Sequence, residues 1–236
     1  GGVAKYIELL IMGRAFTFDA IIDLVFDENS LFLSEGKNVL IEEFGKDYAN
    51  YFSIMSLIAS GKTSRVEIES VMEIQTGGFL DRLESEYGLI RKVRPIFAKP
   101  NSRSVKYLVE DNFLSFWFRF VYKYRSAVEA SNMEFLKEIV RRDYSVYSGR
   151  VLEQYFTEKL MLEQRYNLIG SYWERNNMNE IDIVAVDDLN KKILIAEVKR
   201  NPDNISIGLL KDKAKNIVSK FKDYSFEFVG LSIEDM

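Results

Sequence analysis

NEIDIVAVDDLNKKILIAEVKR, residues 179–200, decides how this chain is read. Two apolar runs, IDIVAV and KILIAEV, flank the polar turn DDLNK. Short Ile- and Val-rich runs bounded by turn residues read as buried strands. Each run carries an acid where a buried strand should be apolar: Asp182 in the first, Glu197 in the second, with Lys199 two residues later. Side chains alternate along a strand, so Glu197 and Lys199 share a face about 7 Å apart, while Val198 points the other way into the core. Fourteen residues separate Asp182 from Glu197, enough for two short strands and the turn. The two carboxylates therefore converge at one end of a sheet, where, unpaired, they repel each other. A divalent cation on oxygen ligands removes that cost, and Mg²⁺ suits such a donor set. An ion there lowers the pKa of a bound water and offsets charge developing on a phosphoryl oxygen. Lys199 would then orient or deprotonate the attacking water, or neutralise the phosphate. The competing reading is structural: Asp182 or Glu197 simply pairs with Lys199 or Arg200.

Composition narrows the chemistry. The 236 residues are 47% hydrophobic and 29% charged, which is ordinary for a globular protein of one to three domains. The net charge of −4 means that any nucleic-acid contact must come from a local basic face. There are no cysteines and no histidines. Disulfides, thiolate metal sites, Cys nucleophiles, imidazole bases and Ser-His-Asp arrangements are thereby excluded. Catalysis is left to carboxylates, Lys, Tyr or a metal on oxygen ligands. No apolar run reaches the length of a membrane span and no signal peptide is visible, so the cytoplasm is the expected compartment.

Working outward from the hairpin, residues 148–236 read as a small α/β domain: a helix in SGRVLEQYFTEKLMLEQRY, three strands (NLIGSYWER, EIDIVAVD, KKILIAEVKR), a helix in IGLLKDKAKNIVSKFKDY, and a last strand in SFEFVGLSI. Residues 111–147 form aromatic connecting helices, in which Phe113, Phe116, Trp117, Phe120 and Tyr124 recur at helical spacing and are expected to be buried. Residues 47–110 hold three short helices and a two-stranded wing, the winged helix-turn-helix arrangement. In that segment Ser64 and Glu67 form a capping-box pattern. LIRKVRPIF and VKYLVED are the expected wing strands, joined by a turn at KPNSRS. Residues 1–46 form short helices punctuated by FDENS and FGKD. The chain opens on Gly1-Gly2-Val3 without an initiator Met, as a fragment or a tag scar would. The whole is α+β.

Asp182, the spacer and Glu197-Val198-Lys199 resemble the D…(D/E)-x-K signature of the PD-(D/E)XK nuclease superfamily. The order helix, three strands, helix, strand resembles its restriction-endonuclease-like core. The resemblance implies that Asp182 and Glu197 bind the metal and that Lys199 assists the water. It also nominates Glu153, on the preceding helix, as a further acid, and Glu180, on the same face as Asp182, as a further ligand. Over essentially its whole length, from GGVAKYIELL through SVKYLVEDNFLSFWFRFVY to NEIDIVAV, the chain resembles archaeal and bacterial P-loop ATPases of the AAA/STAND type. These carry a nuclease-like C-terminal domain of unknown function. Residues 1–46 would then be the helical lid that follows an ATPase core absent from this chain.

One decoy is dismissed. SLIASGKTS, residues 56–64, ends in Gly-Lys-Thr like a Walker A loop, but Ser56 stands where the motif needs Gly and the preceding segment is helical. Gly61-Lys62-Thr63 reads as a helix end, and no ATPase activity is expected of this chain. The third helix of the winged unit carries Asp81, Glu84 and Glu86 against Arg82 alone, and acids repel phosphates. The basic wing residues Lys99, Arg103 and Lys106, and Lys211 and Lys213 on the helix after the acid-bearing strands, are the nominated nucleic-acid contacts. The expected function is Mg²⁺- or Mn²⁺-dependent hydrolysis of DNA phosphodiesters, with the missing ATPase half as a partner; an oligomer is compatible with the sequence. The alternative is a non-catalytic DNA- or protein-binding regulatory module.

Overall fold

The computed structural model describes residues 4–45 and 48–236. The Gly1-Gly2-Val3 opening and the Lys46-Asp47 half of the FGKD break lie outside the described residues. The chain divides into two compact units. The first comprises the residues up to Val93 together with Lys106–Asp143; the second comprises Arg94–Val105 and Tyr144–Met236.

The first unit is mostly helical. Its elements are α1 (Ala4–Met12), α2 (Phe18–Val25), α3 (Leu31–Phe44), α4 (Tyr48–Ala59), α5 (Arg65–Met72) and α6 (Gly77–Ser85), then the hairpin β1 (Ile90–Val93) and β2 (Lys106–Val109), then α7 (Asn112–Phe120) and α8 (Arg125–Glu129). The starts of α5 and α7 are fixed by side chains that satisfy otherwise orphaned N–H groups. Ser64 and Glu67 form the full capping box of α5, and Asp111 accepts from Leu114 N at 2.7 Å at the start of α7. Of the aromatic residues expected to be buried, Trp117 and Phe120 lie in the core and Phe113, Phe116 and Tyr124 are half-buried; Leu114 and Phe118 complete the buried face, with Phe52, Ile54 and Met55 of α4. Trp117 Nε1 donates to Leu33 O at 3.0 Å. The Trp117 ring packs so closely on α3 that a Cβ at Gly36 would fall within it, which makes glycine obligatory there. Helix α4 ends at the decoy motif: Gly61 takes φ 102° and Lys62 N donates back to Leu57 O at 2.9 Å. Gly61-Lys62-Thr63 is a helix terminus and not a phosphate loop.

The wing is shorter than the sequence suggests. β1 and β2 pair only from Ile90↔Val109 to Val93↔Lys106. Pro95 has no N–H to donate to a ladder, so the strand stops before it. The connecting residues 94–105 do turn at KPNSRS, where Ser102 N donates to Lys99 O at 2.9 Å, but they belong to the second unit, where Ile96 is buried and its N–H donates to Ser171 O at 2.7 Å.

The second unit is built on a four-stranded sheet of β3 (Leu168–Tyr172), β4 (Ile181–Asp187), β5 (Lys192–Val198) and β6 (Ser225–Leu231), in that spatial order. The first three strands are antiparallel and β6 runs parallel to β5. Parallel neighbours need a crossover, supplied here by α10 (Ile207–Lys213) and α11 (Lys215–Lys220). Strand alternation then builds two cores. Leu194, Ala196 and Val198 pack with Leu152, Phe156 and Leu160 of α9 (Met133–Leu162). Ile193 and Ile195 pack with Leu210 of α10, Ile217 of α11 and Ala214 between them. Both faces being covered explains why IDIVAV and KILIAEV are continuously apolar rather than alternating.

Two helix boundaries differ from the sequence reading. The helices expected on either side of residues 147 and 148 are one helix, α9, 30 residues long. Ser148 stays helical by donating its hydroxyl to Tyr144 O at 2.7 Å, and Gly149 costs a helix only about 1 kcal/mol. The single helix expected over 207–224 is divided at Ala214 and ends at Lys220. The chain as a whole is α+β.

Candidate active site

The β4–β5 ladder has its last Cα pair at Ile183↔Ala196, one residue short of the acids. Beyond it, Val198 N–H has no ladder acceptor on β4, and Asp182 fills the gap: its Oδ2 accepts from Val198 N at 2.8 Å. This pins the Asp182 carboxylate at the end of β5. On the other side of β5, Lys199 N donates to Leu231 O at 2.9 Å, which extends the β6 edge. Lys199 is thereby held beside both acids. Its Nζ lies 3.3 Å from Asp182 Oδ2 and 3.5 Å from Glu197 Oε1. The acids are largely buried, with side-chain exposures of 14% for Asp182 and 9% for Glu197, whereas Lys199 is 37% exposed. The cluster therefore reaches solvent through the lysine.

A second cation sits on the same acid. Lys213, from α10, places Nζ 3.1 Å from Glu197 Oε1. Burial pushes the Glu197 carboxyl up, but the hydrogen bond from Lys213 and the charges of Lys199 and Lys213 outweigh it, and the net displacement is downward. Burial likewise depresses Lys199, but the charges of Asp182 and Glu197 prevail and its pKa is raised. Lys199 is thus held as an ammonium. It can donate hydrogen bonds and supply positive charge; it cannot take a proton from water while both acids stay ionised.

Glu153 belongs to this neighbourhood. It is half-buried on α9. Burial first, and the charge of Asp182 second, push its carboxyl up to about 7, with Glu180 adding in the same direction and Arg150 and Lys199 opposing. Glu180 itself is exposed. Arg200 does not pair with the acids; its Nη1 donates to Ser148 Oγ at 2.7 Å and its guanidinium lies over the Tyr144 ring. Three acids and one lysine nominated from the sequence therefore interact at one sheet end. Among the described residues, however, no three Asp or Glu side chains stand close enough to form a ready-made metal cluster.

The nominated nucleic-acid contacts have separate fates. Lys213 is committed to Glu197, and Lys211 lies over the Phe228 ring at 5.6 Å. Lys99 and Arg103 are exposed in the 94–105 segment, and Lys106 is half-buried on β2. In the first unit, Lys92 neutralises the acids of α6, at 2.8 Å from Glu84 and 3.8 Å from Asp81, while Arg91 reaches Glu110 at 3.7 Å. The wing's positive charge is thus partly spent inside the unit. The sequence reading missed Lys213 as a partner of Glu197 and Gly230 as its neighbour. Gly230 pairs with Glu197 in the β5–β6 register, and a Cβ on it would stand 2.5 Å from Ile205. No spacing rule signals either contact, because both form only when α10 and β6 close on β5.

Residues 117–217 match the family DUF234, described as archaeal and bacterial proteins of unknown function. The matched span contains Glu153, Asp182, Glu197, Lys199 and Lys213 and ends before β6. The uncharacterized protein MJECL04 of Methanocaldococcus jannaschii is 30% identical over 158 residues, which is 63% of this chain and 35% of that protein. The chain thus spans about a third of that relative's length. No solved structure matches the chain. Among the described residues no helix is long and apolar enough to cross a membrane.

Proposed function

We propose that the second unit hydrolyses phosphodiester bonds of DNA with Mg²⁺ or Mn²⁺, in the manner of PD-(D/E)XK nucleases. The observation that carries the reading is one ammonium shared by two carboxylates, with Lys199 Nζ 3.3 Å from Asp182 and 3.5 Å from Glu197. Two hard, nearly buried oxygen donors that already share one cation fit an ion that seeks carboxylates and water. Asp182 and Glu197 would hold it. Bound there, it would supply Lewis-acid stabilisation of the phosphoryl oxygens and a more acidic water.

The chain's own residues do the rest. Val198 N–H fixes the Asp182 carboxylate, and Lys213 holds Glu197 ionised. Lys199, kept protonated, orients the attacking water and offsets negative charge growing on the phosphate. Glu153, with a carboxyl near 7, is poised to exchange a proton at neutral pH. On this reading the first unit is a winged docking module, the whole protein includes a P-loop ATPase half, and the work is cytoplasmic. One observation favours a second reading, a non-catalytic regulatory module: Lys199 and Lys213 already neutralise the acids, and no third acid completes a cluster among the described residues.

Calorimetric titration of Mn²⁺ into the protein and into Asp182→Asn separates the two. The catalytic reading expects one binding event, abolished in the variant. Absence of binding to the unaltered protein, or equal binding to both, overturns it.

A further inference from the structure

The second unit contains a cavity of about 650 Å³ between the 94–105 segment, the end of β3 and helix α11. Its volume lies in the range of small-molecule sites. The lining is divided by chemistry. Ile96, Ile217 and the ring of Phe97 supply apolar surface. Trp173 is buried behind them and its Nε1 donates to Ser104 Oγ at 2.9 Å, which ties the 94–105 segment to the sheet.

One carboxylate, Glu174, organises the polar part. Its Oε1 accepts from Tyr172 OH at 2.9 Å and from Asn216 Nδ2 at 2.6 Å, and its Oε2 accepts from Asn179 Nδ2 at 3.0 Å. These bonds hold Glu174 ionised, its pKa lowered chiefly by Asn216. They also consume the donor hydrogens that the neighbours point at it, and leave acceptor capacity: the second lone pair of Oε2 and the amide oxygen of Asn216. A ligand group meeting this edge must donate a hydrogen, and an exocyclic amine does so with two N–H bonds on one planar edge.

The rim has the opposite character. Arg103, Arg175 and Lys220 line the cavity and are exposed, and among the described residues none of them forms an ion pair. Lys220 Nζ also lies over the Phe97 and Phe221 rings, at 5.4 and 5.6 Å. Three cations without ion pairs around an opening favour an anion, and guanidinium groups match phosphate geometry.

We infer that this cavity binds a nucleoside phosphate whose base carries an amino group, with the phosphate on Arg103, Arg175 and Lys220, the base against Phe97, and its N–H edge on Glu174. Guanine, adenine and cytosine offer such N–H groups; uracil and thymine lack the exocyclic amine. The nucleotide can come free from solution or as part of a single strand, and both present the same phosphate and base edge. The site shares no residue with the acid cluster and does not depend on the metal reading.

The test is calorimetric titration of the whole chain in EDTA, which silences any metal chemistry. The probes are GMP, UMP, ribose 5-phosphate and a short guanine-containing single strand. Binding of GMP or of the strand is expected, with UMP and ribose 5-phosphate at least tenfold weaker than GMP where GMP binds. Arg175→Glu and Lys220→Glu, both at exposed positions, should each weaken binding at least tenfold, and Glu174→Gln should erase the preference for GMP over UMP. Binding of GMP without the strand assigns a free nucleotide; binding of the strand without GMP assigns a nucleotide within a chain. Absence of binding by every probe, equal binding of ribose 5-phosphate and GMP, or full binding by both charge reversals overturns the inference.

Discussion

Glu153 gives the sharpest thermodynamic prediction. Its carboxyl is pushed from an ordinary value of 4.5 up to about 7, by burial first and by the charge of Asp182 second. The folded protein therefore keeps this proton while the unfolded chain releases it. A raised carboxyl pKa costs nothing below the unfolded value near 4.5; the penalty grows as pH rises and is complete above about 7. A displacement of this size is worth roughly 3 kcal/mol if fully shielded. The partial exposure of Glu153 screens it, to about 2 kcal/mol. Glu153→Gln replaces the acid with a neutral group of the same shape. Urea unfolding in EDTA should then find the variant more stable than the unaltered protein by about 2 kcal/mol at pH 8 and equal to it at pH 4. A difference that is the same at both pH values, or a variant less stable at pH 8, would refute the reasoning. It would mean that Glu153 is solvated and does not feel Asp182.

Other outcomes follow from single contacts. Glu197 is held below its ordinary value, so its ion pairs stabilise the fold above that value, and the benefit is lost as pH falls through the lowered one. Lys213→Met should cost about 1 kcal/mol at pH 7 and progressively less as pH falls through the lowered value, read from urea midpoints. Gly230→Ala drives a Cβ to within 2.5 Å of Ile205 beside Glu197, and a loss of about 2 kcal/mol is expected. Ile205→Ala in the same protein should recover part of that loss, and a double-mutant cycle measures how much. Ser64→Ala removes the capping box of α5 and should lower stability by about 1 kcal/mol in thermal unfolding, whereas Ser64→Thr should leave it nearly unchanged.

The legible parts of the fold were those whose signal is local. Asp182 and Glu197 stood out because continuous apolar runs are the mark of strands covered on both faces, and an acid inside one needs a reason. The Ser64–Glu67 cap and the Gly61 helix end were equally plain. What escaped the sequence depends on contacts distant along the chain. Ser148-Gly149 looked like a break, but a serine that bonds back to its own helix and a glycine with open space around it leave α9 continuous. The KPNSRS turn forms as expected, but it belongs to the second unit: Pro95 ends the wing strand and Ile96 is buried in that unit's core, a contact no local signal shows. The lysines of α10 looked like a phosphate-facing row. Lys213 instead turns to Glu197 across a crossover whose geometry no spacing encodes.

DNA cleavage tests the central claim most directly. Plasmid, linear, single-stranded and branched DNA would be incubated with the protein in Mn²⁺ or Mg²⁺, beside Asp182→Asn and Lys199→Ala. The account predicts metal-dependent cutting of at least one substrate, with a loss of at least a hundredfold in both variants. Cutting that persists in either variant would contradict the assignment of Asp182, Glu197 and Lys199 as the catalytic group, and no cutting of any substrate would contradict the catalytic reading of this chain.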